Sequence, residues 1–103
     1  MTFALAGISA AGVTTHEANL ESNKDTFKGF PWLLRLRHLL ESVDDLAGAK
    51  ALWANTSNTV GFNHMIASAA DNAALVIETN ADTSAYFGPN DPREANARAA
   101  SWD

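Results

Sequence analysis

Asn63 and His64 stand side by side in FNHMIAS, a run that otherwise alternates like a β-strand. Side chains alternate between the two faces of a strand, so Asn63 and His64 must point to opposite sides. Whichever of them faces a core needs a hydrogen-bond partner, since an unpaired buried polar group costs about 1–3 kcal/mol. A second polar cluster lies upstream in THEANL, where Glu17 and Asn19 follow His16. His16-Glu17 is half of a zinc-binding HExxH motif, but no second histidine follows at the required spacing and the segment has a strand-like pattern. No metal site is expected. No glycine-rich phosphate loop follows a strand, no serine sits in a nucleophile elbow, and the chain contains no cysteine. Thiol catalysis, disulfides and thiolate metal sites are therefore excluded within these residues.

The elements that must position these groups fall into blocks. Phe3–Ile8 reads as an apolar strand, Ser9-Ala10-Ala11-Gly12 as a turn closed by glycine, and Val13–Ala18 as a second strand. Together they form a strand hairpin over 3–18, followed by a polar loop, Glu21–Lys28. Pro31 fits the first position of a helix, and Leu33, Leu36, Leu40 and Val43 make one apolar stripe. Arg35, His38 and Glu41 are expected on the opposite, solvated side. Asp44 or Asp45 can cap a second helix, Leu46–Ala54, completing a helix pair over 31–54. A central hairpin over 62–79 turns at Asp71-Asn72, residues that tolerate left-handed backbone. Its second strand, ALVIET, is almost continuously apolar, as in a strand covered on both faces. A short strand near 84–87 precedes a turn-rich tail in which Arg93 can pair with Asp91 or Glu94 as a solvated surface pair.

Composition narrows the function classes. The chain has 103 residues, 47% of them apolar and 18% charged, which fits one small globular α+β domain. The net charge is −5 with scattered basic residues, so no nucleic-acid partner is expected. No apolar run approaches the ~20 residues that span a bilayer, and MTFALAGISAAG lacks the basic region of a signal peptide. Asn55-Thr56-Ser57 matches the glycosylation triplet, a frequent chance match.

Three segments in order resemble the autoproteolytic acyltransferase family that includes acyl-coenzyme A:6-aminopenicillanic acid (isopenicillin N) acyltransferase, a cysteine-type branch of the N-terminal nucleophile hydrolases. They are GISAAGVTTHEANL, FPWLLRLRHLLESVDDLAGAKALWANT, and NTVGFNHMIASAADNAALVIETNA with NDPREANA after it. The resemblance implies part of a four-layer αββα sandwich in a longer protein, acting on a small acyl amide or thioester without a cofactor. Its nucleophile would be a cysteine freed by self-cleavage, with its own α-amino group, of unperturbed pKa near ~8, as base. Since the chain has no cysteine, the expectation is an interior fragment, inactive alone, whose partner is the remainder of its own polypeptide. By offset from Gly12, the resemblance places Asn19 where related bile-acid hydrolases keep an asparagine beside the oxyanion. Asn63 corresponds to the family's hairpin asparagine, with substrate contact or a structural role open to it. Glu17 could orient Asn19 or the amine, or face water. The alternative is a stand-alone, non-catalytic α+β module with a binding or structural role.

Overall fold

The structure is a computed structural model that describes residues 5–94. It is an α+β fold: a five-stranded antiparallel sheet in the order β1-β2-β3-β4-β5, with two helices on one face. The strands are β1 (Gly7–Ile8), β2 (Val13–Asn19), β3 (Phe62–Ser68), β4 (Ala73–Thr79) and β5 (Ser84–Phe87). The helices α1 (Trp32–Ser42) and α2 (Leu46–Ala54) lie between β2 and β3 in the chain. A 3-10 turn spans Pro92–Glu94.

The first strand is shorter than its apolar sequence suggests. Only Gly7 and Ile8 join the ladder, opposite Thr15 and Thr14, while Leu5 and Ala6 form a bend before it. Phe3 and Ala4 lie outside the described residues, as does the tail beyond residue 94. The β1–β2 turn needs glycine for two reasons. Gly12 has a φ of +80°, and a Cβ there would meet the Ala69 Cβ at 2.9 Å. This approach allows the Gly12 carbonyl to accept from the Ala69 N–H at 3.0 Å, tying the two turns at that end of the sheet. Asn72, in the β3–β4 turn, has the left-handed backbone expected of it, with a φ of 46°.

Both helices cover the same side. Pro31 sits one position earlier than expected, as the N-cap of α1, where its carbonyl accepts from the Leu34 and Arg35 N–H groups. The buried stripe is also rotated. Leu36, Leu39 and Val43 are buried, Leu33 and Leu40 only partly so, and Arg35, expected in solvent, is 2% exposed. His38 and Glu41 do face solvent. Of the two candidate caps for α2, Asp45 is the one used: its carboxylate accepts from the Gly48 N–H at 2.7 Å. Asp71 of the β3–β4 turn accepts from the Leu46 N–H at 2.7 Å, so two carboxylates hold the positive end of α2. Asp45→Ala should therefore cost about 1 kcal/mol, read as a lowered denaturation midpoint with an unchanged m-value.

The core lies between the helices and one sheet face, and comprises Val13, Leu36, Leu39, Val43, Ala49, Trp53, Ile66, Leu75 and Ile77. On β4 the buried residues are Leu75, Ile77 and Thr79, with Val76 half-buried and Glu78 exposed between them. The expectation of a strand covered on both faces is not met among the described residues. Both helices sit on the Leu75–Ile77 side, and Val76 belongs to the open face. That open face carries Ile8 and Met65, which are 72% and 55% exposed, beside the half-buried Ala67, Val76 and Phe87. The Arg93 guanidinium pairs with Asp91 through both carboxylate oxygens, at 3.0 and 2.7 Å, and lies over the Phe87 ring.

Candidate functional site

The sheet register decides which candidate residues can act together. Glu17 pairs opposite His64, Ala18 opposite Asn63 and Asn19 opposite Phe62. Directly opposed residues share a face, so Glu17, Asn19 and His64 belong to the helix-covered side. Asn63 belongs to the open side, between Ala18 and the exposed Glu78. Asn19 and Asn63 thus diverge and do not converge on one reacting atom. Asn19, the last residue of β2, is exposed, and Glu17 is half-buried.

Asn19 opens into a cleft of about 660 Å³ at the end of β2 and β3. The Leu20–Asp25 loop forms one wall, with Trp32 from the start of α1 and Val60–Phe62 completing it. The Trp32 and Phe62 rings stand 4.2 Å apart, tilted by 35°. Gly61 is required here, since a Cβ would lie 2.6 Å from the Leu20 carbonyl oxygen. The Gly61 N–H donates to Asp25 at 3.3 Å, and the Thr26 N–H donates to the Thr59 carbonyl at 2.8 Å. These bonds hold the loop to the strand entrance. Besides Asp25 the rim carries Glu21, Ser22 and Asn23, and among the described residues no Lys, Arg or His lines it. From the sequence Glu21–Lys28 is only a polar loop. Its signal was the pair of carboxylates shortly before Pro31-Trp32, which becomes a site only when Gly61 brings the two segments together.

A second polar cluster is sealed under the helices. His64 is 1% exposed, with its ring 5.0 Å from Trp53 and 5.9 Å from Phe62. Arg35 lies with its guanidinium carbon 4.8 Å from the Trp53 ring centroid. It donates to the Asn58 side-chain oxygen at 2.7 Å and to the Ser57 carbonyl. Arg35 Nε, Trp53 Nε1, His64 Nδ1 and Thr15 Oγ1 are buried with no hydrogen-bond partner among the described residues. The requirement for a partner, derived from the sequence for a core-facing His64, is thus not met at Nδ1. Burial pushes His64 from 6.5 down to about 4, helped by the charge of Arg35, so the imidazole stays neutral and avoids a larger desolvation cost. Burial also pushes Arg35 down to about 10, opposed by Tyr86, so the guanidinium remains charged at neutral pH. Its charge is met by neutral dipoles and an aromatic face instead of a carboxylate. This cluster lacks solvent access for a substrate, and its chemistry is that of a polar core.

Among the described residues no group of three or more His, Asp or Glu side chains is placed to hold a metal ion, and no helix is long and apolar enough to cross a membrane. Compared with known proteins, the chain matches no family model, no curated protein and no solved structure.

Proposed function

We propose that this chain is one helix-on-sheet half of a four-layer αββα N-terminal nucleophile hydrolase, acting on small acyl amides or acyl thioesters. The observation that carries the reading is the one-sided sheet. Helices cover one face, and the other presents Ile8, Met65, Ala67, Val76 and Phe87, as an inner face awaiting a second sheet does. The order of hairpin, helix pair and further hairpin agrees with the family that the sequence resembles. The cysteine nucleophile and its α-amino base come from outside these residues in this reading, because the chain contains no cysteine. Asn63 then points between the sheets beside Glu78, away from Asn19, and serves as a structural amide of the inner face. Asn19 serves as the oxyanion donor from the strand end, and Glu17, on the same face, helps to orient it.

The test is mass spectrometry and assay of the complete product of the coding region that contains these residues. The expected result is a mature chain starting at cysteine that cleaves acyl amides or thioesters and loses this activity on Cys→Ala. A product without self-cleavage, or titratable hydrolysis by the purified 103-residue chain alone, would overturn the reading. In the active full-length protein Asn19→Ala should lower kcat more than it raises KM, because an oxyanion donor acts on the transition state, at a cost of about 10²–10³ in kcat.

One observation favours a second reading, a stand-alone binding module. The Trp32–Phe62 cleft is assembled entirely within this chain and needs no second sheet. A monodisperse monomer with a sharp, cooperative melt would support the module. Association through the open sheet face would support the sandwich half.

A further inference from the structure

The cleft at the end of β2 and β3 has the chemistry of a receptor for an organic cation. We propose that it binds a primary ammonium ion carried on an aromatic or alkyl body. The size, about 660 Å³, falls in the range of small-molecule pockets. The Trp32–Phe62 pair gives it an aromatic wall, and both rings are only half-buried. The ring faces turned toward each other are filled by this contact, so the wall offers its remaining ring surface to a cation and to the apolar body attached to it.

The rim supplies the opposite charge. Glu21 and Asp25 are both exposed, and neither is paired with a basic side chain among the described residues. Asp25 uses one oxygen to accept from Gly61, which fixes the carboxylate at the rim and leaves its second oxygen open. The nearest basic residue in the loop, Lys24, is turned outward to Asp82, at 3.1 Å. Asn19, Ser22 and Asn23 add neutral oxygens that can accept from an ammonium group. Among the described residues no Lys, Arg or His lines the cleft, so the charged groups an anionic ligand would meet there are carboxylates. The backbone bonds from Thr26 to Thr59 and from Phe30 to Ser57, at 2.8 and 2.9 Å, hold the loop in place before a ligand arrives. A preformed rim of this kind reduces the ordering cost of binding. Every group that the cation would meet lies within the cleft, so its binding does not depend on a hydrolase activity of the chain.

The probe is phenethylammonium, titrated into the purified chain and followed by amide chemical shifts, with phenylpropionate as an anionic counterpart of similar shape. Saturable shifts at Gly61 and at the Trp32 indole are expected with the ammonium and not with the carboxylate. Glu21→Gln should weaken binding about three- to fivefold, as the loss of one exposed charge contact. Glu21→Gln with Asp25→Asn should weaken it about tenfold, and 1 M salt should do much the same by screening. The amide spectrum of each variant reports whether the fold is kept. Equal binding of both probes would mean a plain apolar surface and would overturn the proposal. So would an absence of saturation, or a double variant that folds and binds as the parent does.

Discussion

Trp53→Ala is expected to remove about 3–5 kcal/mol of stability, a large part of the 5–15 kcal/mol typical of a whole domain. Trp53 is 2% exposed and joins the layers: it rises from α2, packs against His64 of β3, and carries the Arg35 guanidinium over its ring. Truncation would open a cavity where helix meets sheet and strip the buried charge of its aromatic face. Trp53→Phe separates the contributions. The phenyl ring keeps most of the apolar contact and the cation–π geometry, while the buried Nε1–H, which has no partner, disappears. Removing an unsatisfied donor recovers part of a penalty of about 1–3 kcal/mol, which offsets the smaller volume lost. Chemical denaturation should therefore place Trp53→Phe within about 1–2 kcal/mol of the parent and Trp53→Ala far below it. If both variants were equally damaged, the indole N–H would be making a bond that matters, and the account of this cluster would be wrong.

Arg35 shows why parts of this fold could not be read from the sequence. Helical spacing placed it opposite Leu33, Leu36 and Leu40, and charge alone argued for solvent. What holds it inside lies more than 20 residues away: the Ser57 carbonyl and the Asn58 side chain, at sequence separations of 22 and 23. Local periodicity carries no information about such partners, whereas the long aliphatic stem of arginine tolerates burial once they exist. Features set by neighbouring residues were legible. Gly12 and Asn72 follow from turn chemistry, Asp45 from capping, and the opposite orientations of Asn63 and His64 from the pleat. The cleft was not legible, because it depends on the Glu21–Asp25 loop lying over Gly61, a contact between segments more than 35 residues apart. For the candidate residues the pattern gave the faces of β3 correctly. Only the register against β2 showed that Asn19 and Asn63 part company.

The pH dependence of stability should carry the signature of His64. Its imidazole titrates near 6.5 when the chain is unfolded and near 4 when it is folded. Above 6.5 both states are neutral and the group contributes no pH dependence. Between 6.5 and 4 the unfolded chain takes up a proton that the folded chain refuses, so stability falls as pH is lowered and levels off below 4. The difference amounts to about 3 kcal/mol over that window. Burial between Trp53 and Phe62 is the main cause, and the Arg35 charge adds to it, since a protonated His64 would be a second buried cation beside the first. The groups around it on the other elements are Arg35 from α1, Trp53 from α2, Ile77 from β4 and Glu17 from β2. Comparison with a variant isolates the part that His64 contributes. In His64→Leu the buried ring nitrogen without a partner is gone and no proton can be taken up. Denaturation midpoints measured from pH 7 to pH 4 should fall steeply for the parent and much less for this variant. Parallel curves for the two proteins would show that His64 is not held neutral by the fold, and that a partner for its Nδ1 exists in solution.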